Sequence, residues 1–213
     1  MFPTINQIND ILPWIEDKEE IKVNDKGHYT VIDYAVQHDD TFDSSYAKEC
    51  RGIKFWPDGS IAARPPNKFF NKNERPDLEG MYWIGACRIF EKLDGSLIHP
   101  LKLGNKVRLM TKAGITEVSQ QCEREVDFHP DFWSACEDML ELGLTPCFEY
   151  TSPNNRIVIP YEKPELTLIA VRDNITGEYQ HLDDYANILH VPRVKEYKDI
   201  TLNDVKEWVD REG

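Results

Sequence analysis

The chain lacks most of the features that would place it outside the water-facing globular class. Its five cysteines, Cys50, Cys87, Cys122, Cys136 and Cys147, are odd in number and no two stand as Cys-x-x-Cys. Neither a disulfide framework nor a zinc site is indicated, and all five read as reduced thiols. No stretch approaches the roughly 18 uninterrupted apolar residues of a membrane span. The opening Met1-Phe2-Pro3-Thr4-Ile5-Asn6 lacks the basic-then-apolar layout of a secretory signal. A soluble protein of the cytoplasm with no membrane partner is the expectation. Internal repeats, low-complexity segments and a linker long enough to require a domain boundary are also missing. Positive charge is scarce: 25 Lys and Arg against 38 Asp and Glu leave a net charge of −13 in 213 residues. Taken alone, that balance argues against nucleic acid, because phosphate contacts dominate such affinity.

The average conceals an island. Between Lys48 and Lys112 stand 13 basic and 7 acidic residues, a local charge of +6 that leaves −19 for the rest. The bland reading is a solvated charged surface. What sets the island apart is the motifs inside it.

Apolar residues Ile5, Ile8, Ile11, Leu12 and Ile15 recur at helical spacing and predict a helix over most of 4–16. Residues 29–34 and 52–63 are rich in β-branched and aromatic types, and Pro57-Asp58-Gly59 makes the latter a hairpin. Residues 84–90 and 97–103 flank an Asp94-Gly95 turn, and Gly104-Asn105 leads into a strand over 106–112. Period-two alternation there puts Lys106, Arg108, Met110 and Lys112 on one face. After Pro130, Phe132, Trp133, Cys136, Met139 and Leu140 form the stripe of a helix that Gly143 would stop, which makes Cys136 core rather than catalyst. Residues 147–150 and 166–171 read as strands, 173–177 as a turn, and Thr201-Leu202-Asn203-Asp204 as the cap of a last helix. This mixed order favours α+β architecture built on antiparallel sheets.

Chemistry concentrates at Glu91-Lys92-Leu93-Asp94-Gly95-Ser96. A lysine amine near its ordinary pKa of about 10.4 is protonated, and freeing its lone pair at pH 7 costs about 4.6 kcal/mol. Nearby cations lower a lysine pKa, and Arg51, Lys68 and Lys112 are candidates if the fold gathers them around a polyphosphate. They would also stabilise charge on a pentavalent phosphorus. Gly95 would permit close backbone approach and Ser96 would add a hydroxyl. Lys-x-Asp-Gly equally describes an exposed turn beside a lysine, so local sequence leaves both readings open.

The surrounding residues bear on that choice. Glu49-Cys50-Arg51-Gly52-Ile53, Arg64-Pro65-Pro66-Asn67-Lys68-Phe69-Phe70-Asn71, the lysine motif, Thr111-Lys112-Ala113-Gly114, Phe148-Glu149-Tyr150 and Asn155-Arg156-Ile157-Val158 follow in one order. This set closely resembles the adenylyltransferase domain of the phage T4 RNA ligase 1 family, among the covalent nucleotidyltransferases that include DNA ligases and mRNA capping enzymes. The likeness spans roughly residues 45–182.

The resemblance implies an α+β nucleotidyltransferase fold with antiparallel sheets flanked by helices, and an ATP-dependent RNA ligase using Mg²⁺ or Mn²⁺. By similarity Lys92 attacks the α-phosphorus of ATP and carries AMP to RNA 5′-phosphate ends, which are sealed to 3′-hydroxyls; tRNA repair follows only by analogy. Arg51, Lys68 and Lys112 would contact nucleotide or phosphate, Phe70 and Gly95 would lie at the nucleotide pocket, and Glu91 would meet the adenine edge. Glu149 would bind the ribose hydroxyl, Glu212 would join the nucleotide contacts, and both with Asp94 would order the metal's water shell. Arg156 would either hold its loop or face substrate. If phage-encoded, the protein would work in the host cytoplasm. The sequence departs from the family after Glu212-Gly213, where a further strand and a Lys-x-Lys pair are expected. Residues 1–213 thus read as an adenylyltransferase domain incomplete at its C-terminus, without an RNA-specificity domain. Weak or no self-adenylylation is expected unless the missing segment is restored. The alternatives are a non-catalytic nucleotide- or RNA-binding module and a ligase of DNA ends.

Overall fold

Two four-stranded antiparallel sheets and one two-stranded pair frame the described residues. The computed structural model describes residues 2–71, 74 and 88–198. Cys87, the cap at Thr201 and Glu212 lie outside them. The chain divides into two units, residues 1–69 with 94–193 and residues 70–93 with 194–213.

In the first unit β1 (Ile21–Asp25), β2 (Thr30–Tyr34), β3 (Arg51–Phe55) and β4 (Ile61–Ala63) form one meander in that order. Alternation along β3 sorts its side chains. Ile53 and Phe55 join Ile32, Ile5, Ile11 and Ile15 in an apolar cluster, whereas Gly52 and Lys54 turn the other way. On that other side Val31 and Ala63 pack with Leu101 and Met110 of the second sheet. This sheet has the order β7-β6-β8-β9, from β6 (Ser96–Leu103), β7 (Lys106–Met110), β8 (Leu144–Thr151) and β9 (Glu165–Asp173).

Short helices complete the unit. α1 (Ser45–Glu49) is capped by the Ser44 hydroxyl, which accepts the Ala47 N–H at 3.0 Å. α2 (Glu117–Glu125) covers the edge strand β7, where Glu123 accepts the Leu109 N–H at 2.7 Å and pairs with Arg108 at 2.9 Å. α3 (Phe132–Glu141) packs on β8 and β6, and α4 (Leu182–Leu189) on β9. Gly143 at φ +73° lets the chain leave α3. The four described cysteines, Cys50, Cys122, Cys136 and Cys147, are unpaired and buried, and burial pushes the Cys147 thiol up to about 12.

Several expectations need correction. Ile5, Ile11 and Ile15 are buried as their spacing predicts, but 4–16 is no helix. It makes two 3-10 turns, Ile8–Asp10 and Leu12–Trp14, because Pro13 has no N–H to continue a ladder. The strand expected to reach Lys112 ends at Met110; Thr111 and Gly114 pair across a tight turn instead. Among the described residues no hairpin closes over Asp94-Gly95. β6 pairs with β7 and β8, while β5 (Ile89–Phe90) belongs to the second unit and pairs with β10 (Glu196–Tyr197). There the Glu91 N–H donates to the Lys195 carbonyl at 2.9 Å, and Arg88 grips Glu196 through two bonds of 2.7 and 2.9 Å.

The first unit is tied together by a buried ionic cluster. The Glu49 carboxylate takes Arg64 at 3.0 and 3.1 Å and Arg172 at 2.7 and 3.2 Å, all three side chains being at most 1% exposed. The remaining guanidinium hydrogens go to the carbonyls of Pro3, Pro65, Asn174, Ile175 and Gly177. Gly177, at φ +73°, has no room for a side chain, since a Cβ would stand 2.5 Å from Arg64 Nη2. Removing the shared anion would leave two guanidiniums buried without a counter-charge. Glu49→Ala is therefore expected to lower the unfolding free energy by about 3–5 kcal/mol, measured by urea titration. A loss below about 1 kcal/mol, the range of an exposed pair, would show that the cluster is not the tie described.

Candidate nucleotide-binding site

The first unit presents the expected site residues in two groups. Arg51 opens β3, its Nη1 donating to the Pro66 carbonyl at 3.4 Å and its guanidinium 5.0 Å from the Phe69 ring. Gly52 follows at φ +86°, where a Cβ would stand 2.6 Å from Lys112 Cα. Only glycine allows this contact, and it sets the backbone next to Arg51 directly against Lys112. Lys112 Nζ lies 3.1 Å from Asp33 Oδ2 and 4.4 Å from the Tyr34 ring centroid. Lys68 is set by its backbone N–H, which donates to the Lys48 carbonyl at 2.7 Å, and its Nζ stands 5.7 Å from the Phe42 ring.

Between the sheets, fully buried, lies Lys54. Its Nζ donates to the Gly52 carbonyl at 2.9 Å and the Thr111 carbonyl at 3.2 Å, reaches the Lys112 carbonyl at 3.4 Å, and meets His99 Nε2 at 2.8 Å. Burial pulls the Lys54 pKa down to about 7, against a smaller opposing pull from Asp33. Burial first, and then the Lys54 charge, hold His99 well below the usual histidine range.

The second group surrounds Glu149. On β8 this carboxylate alternates with buried Phe148 and Tyr150, so it turns to the partly exposed face. Its Oε1 accepts the Gly95 N–H at 2.9 Å. A Cβ on Gly95 would stand 2.3 Å from the Tyr150 carbonyl oxygen. The close approach anticipated at this glycine is thus to the protein's own strand β8. Asp94 Oδ2 accepts the N–H groups of Val158 and Ile159, each at 2.7 Å, and the Asp94 N–H donates to the Tyr161 hydroxyl at 3.0 Å. Asn155 Nδ2 donates to Ser96 Oγ at 3.1 Å and the Tyr150 carbonyl at 3.2 Å. Arg156 is exposed and its Nε donates to the Val158 carbonyl at 3.2 Å, so here it holds its own loop.

Glu125 at the end of α2 fastens the same loop. Its carboxylate accepts from Tyr150 Oη at 2.6 Å, Ser152 Oγ at 2.7 Å and Asn154 Nδ2 at 2.9 Å. Those bonds, Tyr150's first, hold its pKa down to about 2.

Glu91, Lys92 and Phe70 belong to the second unit. Glu91 and Lys92 are exposed and Phe70 is half-buried; Lys92 precedes Asp94 by two residues in the chain. Residues 64–71, which include Phe70, form no strand. The basic island also reads differently in space. Lys102 pairs with Glu137 and Glu141, Arg108 with Glu123, Lys112 with Asp33 and Arg88 with Glu196, all acids from outside the island. Lys54, His99, Asp33 and Glu125 went unnoticed in the sequence. The available signal for Lys54 was its place between Ile53 and Phe55 on a strand, where it must face the opposite side of the sheet.

The paired sheets with flanking helices form the fold of ATP-dependent polynucleotide ligases. An archaeal ATP-dependent RNA ligase superposes with a TM-score of 0.55 at 12% identity over 87% of this chain and 49% of that one. The Aquifex aeolicus "Putative ATP-dependent DNA ligase" does so at 0.57 and 13% identity over 95% and 55%. Within that class, the T4 RNA ligase 1 family model, described as RNA ligase, matches residues 49–210, and the chain belongs to this family. A Thermovibrio ammonificans protein named "Putative RNA ligase" is 38% identical over 168 residues, 78% of this chain and 44% of that protein. The chain spans less than half the length of the curated relatives it matches.

The Glu125 contacts give a pH test. A carboxyl group held down in the folded state adds stability that is complete above its ordinary pKa and lost as pH falls toward the folded value. Melting temperature should therefore drop from about pH 5 toward pH 2 more steeply in the native protein than in Glu125→Gln. Parallel curves for the two proteins would contradict the assignment.

Proposed function

We propose that the chain is the nucleotidyltransferase part of an ATP-dependent RNA ligase that works through a lysyl-AMP intermediate. The observation that carries this reading is the family match over 49–210, which spans Lys92 and every expected nucleotide contact except Glu212. The Gly52 contact supports it by drawing the backbone beside Arg51 onto Lys112, two cations suited to adjacent phosphate oxygens.

In this reading the Lys92 amine, once deprotonated, attacks the α-phosphorus of ATP. A nitrogen–phosphorus bond forms, the bond to pyrophosphate breaks, and pyrophosphate leaves. An RNA 5′-phosphate oxygen then displaces lysine and takes AMP. Attack by an RNA 3′-hydroxyl joins the ends and releases AMP. Arg51, Lys68 and Lys112 neutralise the phosphates, and Lys112 exchanges its Asp33 partner for one of them. Phe70 packs on the base, Glu91 meets the adenine edge, and Gly95 packs against β8. Glu149 takes the ribose hydroxyl, and Glu212 completes the carboxylates. Glu149 is an oxygen donor on a partly exposed face and so fits Mg²⁺ or Mn²⁺, held directly or through water with Asp94 and Glu212; the ion would offset charge at the α-phosphate. RNA with 5′-phosphate and 3′-hydroxyl ends is the substrate class, with tRNA repair as the role inferred by analogy.

The test is the intact mass of the denatured protein after incubation with ATP and Mg²⁺. One added AMP, even substoichiometric, that is absent in Lys92→Ala and with GTP supports the reading. ATP binding with no adduct even after the expected C-terminal segment is supplied would favour a non-catalytic module. Transfer of the label to DNA ends but not RNA ends would move the substrate to DNA.

A further inference from the structure

We propose that Lys54 is a positioning residue for the nucleotide, its buried ammonium fixing the backbones of Gly52 and Thr111-Lys112 so that Arg51 and Lys112 face the same phosphates. This rests on the proposed role of Arg51 and Lys112. An apolar side chain of similar length would fill this space between the sheets without desolvating a charge. What lysine adds is a set of bonds. Its three hydrogens meet Gly52 O at 2.9 Å, His99 Nε2 at 2.8 Å and Thr111 O at 3.2 Å, with Lys112 O sharing at 3.4 Å. His99 Nδ1 faces the Pro100 carbonyl at 3.1 Å, which assigns its proton to Nδ1 and leaves Nε2 as the acceptor. β3 and β7 lie in different sheets and share no ladder. The ammonium therefore joins, by hydrogen bonds, two segments that otherwise meet through the Gly52 contact.

The groups facing Lys54 are Asp33 from β2, His99 from β6, Lys112 after β7 and Cys147 from β8. Asp33 favours the ammonium and burial opposes it. Between about pH 7 and pH 10.4 the unfolded chain binds more protons at this lysine than the folded one, so its contribution to stability rises with pH. Its grip on the carbonyls weakens over the same range, because the amine keeps only two hydrogens. A purely structural lysine would not make stability and nucleotide affinity diverge in this way.

The test measures noncovalent ATP binding calorimetrically in the Lys92→Ala protein with Mg²⁺, which keeps chemistry off. Adding Lys54→Met is expected to weaken ATP binding about 10- to 100-fold. In a background already carrying Arg51→Ala and Lys112→Ala, the further loss should be less than about threefold. Equal losses in both backgrounds, or no loss in a folded Lys54→Met protein, overturn the proposal. If Arg51→Ala with Lys112→Ala leaves ATP affinity intact, the nucleotide-site reading itself fails, which is a separate outcome. Should Lys54→Met not fold, the pH arm decides. From pH 6.5 to 9, ATP affinity of the Lys92→Ala protein should fall about tenfold while its thermal stability holds or rises, and His99→Leu should shift the fall to lower pH. A flat affinity across that range would sink the idea.

Discussion

One carboxylate with two guanidiniums, Glu49 between Arg64 and Arg172, is the constraint on which the larger unit depends. Each arginine spends its remaining hydrogens on carbonyls from separate segments: the N-terminus at Pro3, the exit of β4 at Pro65, and the turn after β9 at 174–177. Such a cluster is costly to desolvate and tolerable only when every donor is matched. Among the described residues no buried side-chain nitrogen or oxygen is left without a partner. Glu49 ends α1 two residues before Arg51, so the cluster also sets where β3 begins.

From that anchor the arrangement passes to the space between the sheets, where polar and close-packed contacts alternate. Gly52 touches Lys112, Lys54 meets His99, and the Thr145 hydroxyl accepts the Arg64 N–H at 3.0 Å. These contacts demand particular geometry in a way that the apolar packing of Val31, Leu101 and Met110 does not. Glu125 plays the matching part on the far side of the second sheet by gathering Tyr150, Ser152 and Asn154, while Asp94 holds the loop at Val158 and Ile159.

How much of this was legible in the sequence varied with range. Alternation and turn residues located β2, β3, β4, β6, β8 and β9, and the apolar stripe located α3, because those signals are local. α2 escaped because it buries little beyond Ser119 and Cys122 and shows no apolar stripe. The opening helix failed because burial of one face does not require a helical ladder, and Pro13 forbids a regular one. The charge count misled because it was taken along the chain, whereas Asp33, Glu123, Glu137 and Glu141 reach the island only through folding. For the site, residue types and order pointed to Arg51, Lys112 and Glu149; that Gly95 is pressed against Tyr150, and that Lys54 lies under Gly52, depends on strands meeting from distant positions.

The pairing of β5 with β10 has a consequence for how the protein is made. Arg88 and Glu196 are separated by 108 positions, so among the described residues the partner of the strand leading to Lys92 arrives only once the chain has been extended past β9 and α4. Closing so long a loop is entropically slow compared with the neighbouring hairpins. During synthesis on the ribosome, the sheets of the first unit can pair before β5 does. The segment bearing the lysine would then be among the last described parts of the domain to find its place.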